Sequence, residues 1–166
     1  MEYTNVRLIH IEWEGPYSLQ SLTDLMNEEM DYGIYQVYGR HPVYGSDVLL
    51  YIGKADLQTI GKRISQEGWW NTNDSGRLLI YAGRLAGVQT PEEIDWSIEI
   101  DLAEKLLICV HKPAYNSKNL FNIPDEALQN VHILNWGSHR DLLPEVSGLR
   151  WTSKLYPLET EVYSLG

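Results

Sequence analysis

The 21 residues from Gly33 to Gly53, GIYQVYGRHPVYGSDVLLYIG, decide the fold of the first half of the chain. Two apolar runs, 32–39 and 48–54, are rich in aromatic and β-branched residues, which pack well on a pleated surface. A segment with proline and glycine separates the runs and predicts a hairpin connection that is longer than a tight turn. The sequence therefore predicts two paired strands, one carrying the tripeptide GIY and the other carrying YIG.

Several further elements surround this hairpin. The rest of the chain predicts a strand over 6–13 that Gly15-Pro16 ends, a helix that Ser18 caps, a short helix over 57–67, a strand over 77–86 and a strand over 131–136. This mixture predicts an α/β protein of the α+β type. No internal repeat and no long linker interrupts the 166 residues, so we expect one domain.

Residues 91–111 contain both a strand-like pattern and a helix-like pattern, and the two predict different structures. Apolar and polar residues alternate from Ile94 to Leu102, which is typical of a strand. The preceding TPEE at 90–93 has the composition of a helix start, with a capping threonine followed by proline at the first helical position. Length and cap favour a helix, and Pro113 ends it because the residue before a proline disfavours helical geometry.

The predicted helix carries one unusual acid. Glu104 falls on the same face as Ile100 and Ile108, because residues four apart share a face. Burial of a carboxylate between two isoleucines is costly unless a cation compensates it. Glu104 is therefore a candidate metal ligand, whereas Glu92 and Glu93 are typical first-turn partners of the helix dipole.

The charge of the chain is the main argument against nucleic acid as the partner. The formal net charge is −10, whereas duplex binding usually draws affinity from Lys and Arg that neutralise phosphates. Residues 31–118 are the least acidic part, with nine basic against eleven acidic residues. Six cations lie between positions 40 and 84, against four acids: Arg40, Lys54, Lys62, Arg63, Arg77 and Arg84. The distribution allows a basic face on an acidic body, with weak non-specific affinity.

Three later residues, together with the two tripeptides, form a recognisable order of residues. Arg63 follows the tyrosine of YIG by twelve residues on a predicted helix, Glu104 lies on the long helix, and Asn116 ends the sequence PAYN. In this order the residues resemble the GIY-YIG nuclease family over 31–118. The resemblance implies a small mixed α/β domain with a three-stranded antiparallel sheet flanked by helices. Residues 1–30 and 119–166 would then be extensions of that domain.

The resemblance implies roles for the strand residues. Tyr35 would be the general-base candidate, and Tyr51 would help to position water and phosphate. Gly53 would permit close approach of the backbone, and Lys54 would add a phosphate contact. Without the resemblance, cross-strand aromatic packing is the more usual explanation for each of the two tyrosines, since the chain has eleven.

It also implies roles for three residues outside the hairpin. Arg63 would bind a phosphate through its guanidinium fork, although an exposed helix arginine is more often simply solvated. Glu104 would hold one Mg²⁺ or Mn²⁺ ion, and Asn116 would support the site from behind as part of the substrate-binding set. Together these roles predict a metal-dependent endonuclease acting on DNA.

One residue departs from the family pattern. Many members carry His or Tyr four residues after the arginine, where this chain has Glu67. Either Glu67 points away, or Tyr81 or His41 substitutes, or activity is weak. Two alternative functions therefore stay open: a catalytically weak or inactive nucleic-acid-binding or interaction module on the same fold, and an RNA-cleaving nuclease of the defence or toxin type.

The composition also predicts the setting in which the protein works. No run approaches the ~20 consecutive apolar residues that cross a bilayer, and the N-terminus lacks the features of a secretory signal. The single cysteine, Cys109, agrees with a reducing compartment. We therefore expect a cytoplasmic protein without a membrane partner. Because one site cuts one strand, cleavage of both strands would need a homodimer or successive events.

Overall fold

The computed structural model describes residues 6–68, 77–120 and 127–151, together with residues 164 and 166. Six strands in these ranges form one sheet: β1 (Arg7–Tyr17), β2 (Gly33–His41), β3 (Gly45–Ala55), β4 (Leu79–Ala86), β5 (Val131–Gly137) and β6 (Glu145–Ser147). Their order is β3-β2-β4-β1-β5-β6. Neighbouring strands are antiparallel except for β1 and β5, which are parallel. The sheet is therefore mixed, and the fold class is α+β.

The predicted three-stranded sheet is only part of this sheet. β3, β2 and β4 are three adjacent antiparallel strands, but β1, β5 and β6 continue the sheet beyond β4. β1 pairs with β4 on one side and with β5 on the other, so it is an internal strand. The segments predicted as extensions, 1–30 and 119–166, thus supply strands of the same sheet.

Several local predictions were wrong in their boundaries or in the type of helix. Gly15-Pro16 does not end β1, because a register shift between Glu14 and Tyr17 lets the strand continue to Tyr17. The Ser18-capped element is a 3₁₀ helix (Leu19–Leu25), and the helix predicted over 57–67 is the shorter α1 (Ile60–Ser65). β2 and β3 reach further than predicted, since irregularities in their register absorb extra residues, and only three residues connect them.

The choice of helix for the ambiguous segment is confirmed. α2 (Glu93–His111) begins after Glu92, which is its N-cap, two residues later than the predicted cap Thr90. Lys112 adopts a left-handed conformation and donates its backbone N–H to Ile108, which ends α2 before Pro113. Neither α2 nor any other helix in the described part of the chain is long and apolar enough to cross a lipid bilayer.

The two faces of the sheet carry different helices. Successive strand residues point to opposite faces, so the neighbours Ile34 and Tyr35 belong to different apolar layers. Ile34 lies in the layer that contains Ile100 and Leu106 of α2. Tyr35 lies in the layer that contains the residues of α1 and of the 3₁₀ helix Leu19–Leu25. α1 and α2 therefore approach the edge strand β3 from opposite sides.

Candidate functional site

The two motif tyrosines lie side by side on one face of the β2–β3 pair. Tyr35 is the cross-strand partner of Gly53, and its ring centroid lies 6.1 Å from that of Tyr51. A Cβ atom on Gly53 would lie 2.5 Å from the Tyr35 hydroxyl and 2.7 Å from the Tyr51 ring. Position 53 therefore requires glycine because a tyrosine of the same protein covers its α-carbon.

The sheet also constrains Gly33, the glycine of the first tripeptide. Gly33 has a φ of +145°, and a Cβ atom there would collide with the carbonyl oxygen of Gly83 on β4. Both conditions favour glycine, the first through backbone conformation and the second through space. The tripeptide thus fixes how closely β2 and β4 pack.

Tyr35 is fully buried, which changes the chemistry of its phenol. Within the part of the chain that the structure describes, no group forms a hydrogen bond of normal geometry with its hydroxyl, although the charge of Arg63 acts on it. Burial raises the pKa of Tyr35 well above its ordinary value, and the charges of Tyr51 and Glu67 add to the rise. Tyr35 therefore keeps its proton at neutral pH.

Beside these tyrosines a cleft of about 210 Å³ opens at the end of β3. The residues that line this cleft are Tyr51, Lys54, Ala55, Asp56, Leu57, Gln58, Arg63 and Glu104. β3 supplies Tyr51 and Lys54, α1 supplies Arg63, and α2 supplies Glu104. The volume suits a phosphate group with a few water molecules, each of which occupies about 30 Å³.

Glu104 lines the cleft without a hydrogen-bond partner among the described residues. No hydrogen bond or ion pair joins its half-buried carboxylate to any other residue in the described ranges. Burial raises the pKa of Glu104 to about 7; the neighbouring carboxylates Asp101 and Asp56 add to the rise, and Lys54 opposes it. A divalent cation would remove this cost by stabilising the ionised carboxylate.

Lys54 is held by two acids that the sequence prediction missed. Its ammonium lies 2.7 Å from the Asp101 carboxylate and 3.7 Å from that of Asp56. Burial opposes the charged ammonium, yet the Asp101 hydrogen bond and both negative charges raise the pKa of Lys54 above its ordinary value. Asp101 precedes Glu104 by three residues on α2, and this same-face spacing is the pattern that could have revealed it.

Arg63 is not simply solvated. Its guanidinium lies 3.0 Å from the carboxylate of Glu67, four residues further on. Glu67 therefore does not point away from the site, which removes one of the three explanations for the departure from the family pattern. The suggested substitutes lie elsewhere: Tyr81 packs against Tyr38, and the ring of His41 stacks on Tyr44 beside the hairpin connection.

Asn116 acts on the strand that carries the cleft residues. Its side-chain amide donates to the carbonyl of Ile52 at 2.9 Å, and its side-chain oxygen accepts the Ile52 N–H at 3.0 Å. Tyr115 N–H donates to the carbonyl of Leu50 on the same outer edge of β3. Asn116 thus replaces a neighbouring strand between Tyr51 and Gly53, and any part in substrate binding would pass through these residues.

Three of the six cations between positions 40 and 84 form ion pairs with acids in the described part of the chain. Arg84 lies 2.6 Å from the buried Asp31 and 2.8 Å from Glu14. Lys54 and Arg63 have the acidic partners described above. These three cations therefore contribute little unpaired charge to a basic face.

The donors of the cleft fit a divalent ion that keeps much of its own hydration. Mg²⁺ usually binds one or two protein carboxylates and completes its shell with water and phosphate oxygens. Glu104 is the unpartnered carboxylate, and Asp56 is a second acid in the cleft wall. The described residues contain no group of three or more His, Cys, Asp or Glu arranged to hold a metal ion, so water and substrate would supply most ligands.

Comparison with known proteins leaves the geometry of the cleft as the basis for assigning a function. No protein-family model, no curated protein and no solved structure matches this chain significantly. A function is therefore assigned from the named side chains and from the resemblance of their order to the GIY-YIG pattern.

Substitution of Gly53 tests the packing between the tyrosines. We expect Gly53→Ala to lower the free energy of unfolding by about 1–3 kcal/mol, because the methyl group overlaps the Tyr35 ring. Urea unfolding measures this loss, with Gly68→Ala as control, since a methyl group at Gly68 meets no atom of the described residues within 4 Å. Equal stability of the two variants would contradict the packing.

The raised pKa of Glu104 predicts a pH dependence of stability in chelator-treated protein. The folded state holds a proton on Glu104 up to about pH 7, whereas an ordinary glutamate releases it near 4.5. The free energy of unfolding should therefore fall as the pH rises from about 5 to about 7, because the folded state binds the extra proton in this window. Glu104→Gln should lack this part of the curve, and superimposable curves for the two proteins would contradict it.

Proposed function

We propose that the cleft is the active site of a metal-dependent endonuclease that hydrolyses DNA phosphodiester bonds, as expected for a GIY-YIG-type site. The observation that carries this proposal is the convergence of Tyr51, Arg63 and Glu104 from three separate elements on one cleft. Glu104, the residue expected to bind the ion, is also a carboxylate that forms no hydrogen bond or ion pair with the described residues, although the charge of Lys54 acts on it. The order of these residues along the chain provides independent support.

The reaction sets three chemical demands. A base must take a proton from the attacking water, and positive charge must stabilise the transition-state phosphate. The negative charge that develops on the leaving alkoxide must also be stabilised. A bound Mg²⁺ or Mn²⁺ ion would supply Lewis-acid stabilisation of the phosphate and activation of water. Glu104 would hold that ion, with Asp56 as a neighbour that binds its water.

The other residues of the cleft bind and orient the substrate. Arg63 presents planar donors to two phosphate oxygens, and Lys54 adds a point charge. Tyr51 lines the cleft, which supports a direct contact between its hydroxyl and the phosphate or the attacking water. The Tyr35 phenol stays protonated, so in this proposal it orients Tyr51 and acts as a base only if a bound cation lowers its pKa.

A second function has a specific observation in its favour. The Glu67 carboxylate occupies Arg63, and together with the net charge of −10 this favours a nucleic-acid-binding or interaction module without catalysis. The cleft chemistry alone does not distinguish DNA from RNA, so RNA cleavage is the third outcome to test. Cleavage of both strands in one event would indicate a homodimer, in which each of two sites cuts one strand.

Cleavage assays separate these functions. We expect purified protein to nick supercoiled plasmid with Mg²⁺ or Mn²⁺ and to be inactive in EDTA. Arg63→Ala should reduce the rate by roughly 10²–10³, because it removes a charge that stabilises the transition state. Glu104→Ala should abolish metal-dependent cleavage, whereas Lys62→Ala, which removes an exposed cation outside the cleft, should cost much less.

Other results would redirect the proposal. Cleavage that is unchanged by Glu104→Ala would overturn the site assignment. Binding of DNA without cleavage in any metal would favour the interaction module. Cleavage of structured RNA but not of plasmid would favour the RNA nuclease.

A further inference from the structure

We propose that Glu67 competes with the substrate phosphodiester for Arg63, because in the free protein its carboxylate contacts the guanidinium that would bind the phosphate. The inference rests on the proposed function and deepens it by naming a regulatory contact of the same site. Substrate binding then includes an exchange, in which a phosphate oxygen takes the place of the Glu67 carboxylate at the guanidinium.

The geometry of the pair supports this exchange. Arg63 Nη2 lies 3.0 Å from Glu67 Oε1, so the two groups form a charge-assisted contact. The Arg63 side chain is 42% exposed and lines the cleft, whereas the Glu67 side chain is 18% exposed. The arginine is thus within reach of a ligand, and its carboxylate partner is the less exposed of the two side chains.

The negative charge of Glu67 acts on both motif tyrosines. It raises the pKa of Tyr35 and of Tyr51, in each case in addition to the larger effect of burial. A phosphate bound at Arg63 would meet the same negative charge. Because like charges at this range repel, we expect tight phosphate binding to require that Glu67 leave Arg63.

The position of Glu67 in the chain makes the exchange local. Glu67 follows the last residue of α1 by two positions, and its backbone N–H donates to the carbonyl of Ile64. Its side chain can therefore rotate without displacing the helix that carries Arg63. For the same reason, substitution of the Glu67 side chain should leave the fold intact.

Binding measurements on uncleaved DNA test the competition directly. All proteins carry Glu104→Gln to prevent cleavage. Fluorescence anisotropy is measured in EDTA on a labelled duplex of about 20 base pairs, which is roughly the length that a small protein covers. We expect Glu67→Gln to tighten binding about tenfold, because it removes the competing charge from Arg63. The matched control Glu93→Gln removes the same charge from an exposed position on α2 and should change affinity less than about twofold.

A second variant and a second readout complete the test. Glu67→His, which restores the family side chain, should also tighten binding, and the slope of log affinity against log salt should steepen by about 0.9 for one newly available phosphate contact. The proposal would be overturned if Glu67→Gln bound the duplex no more tightly than Glu93→Gln. It would also be overturned if no variant bound the duplex detectably. A Glu67→Gln enzyme with intact Glu104 that binds as before but cleaves more slowly would overturn it too, since Glu67 would then take part in the chemistry.

The two proposals fail separately. Absence of cleavage in any metal contradicts the endonuclease, whereas the anisotropy comparison decides the role of Glu67 without any turnover.

Discussion

The ring of Tyr35 packs over the α-carbon of Gly53, and this contact between neighbouring strands fixes the site around it. A larger residue at position 53 would push the Tyr35 and Tyr51 rings away from β3. Because Tyr35 is sealed in the core beside Tyr51, its phenol stays protonated while Tyr51 reaches the cleft. Asn116 completes the arrangement by covering the outer edge of β3, where a strand without a partner would leave its backbone groups open.

The electrostatic balance of the cleft follows from its position at the end of an edge strand. α1 and α2 pack on opposite faces of the sheet, and only where β3 ends can side chains from both meet. Lys54 and Arg63 form ion pairs there, whereas Glu104 forms no ion pair with the described residues. A cation and a phosphate bound together would satisfy Glu104 and replace Glu67 at Arg63. The two proposals together therefore predict that the cleft binds a metal–phosphate pair better than either ion alone.

The parts of the fold that could be predicted are those set by local pattern. The β2–β3 hairpin and α2 follow from strand composition and from helix length, and the motif order brought together Tyr51, Arg63 and Glu104. The internal position of β1 could not be predicted, because its pairing with β5 joins residues more than 120 positions apart. The pairing of Lys54 with Asp101 was missed for a related reason, since this contact depends on how α2 packs against β3. The Arg63–Glu67 pair is different, because residues four apart are neighbours and their spacing could have indicated the contact.

Titration with Mn²⁺ tests the central claim, that Glu104 holds a divalent ion in the cleft. Loss of the free-ion electron paramagnetic resonance signal at pH 8 measures binding to the wild-type protein and to Glu104→Gln, with Glu93→Gln as the charge-matched control. We expect one saturable site per chain that weakens roughly tenfold or more in Glu104→Gln and is unchanged in the control. Equal Mn²⁺ affinity of the wild-type protein and Glu104→Gln would contradict the claim.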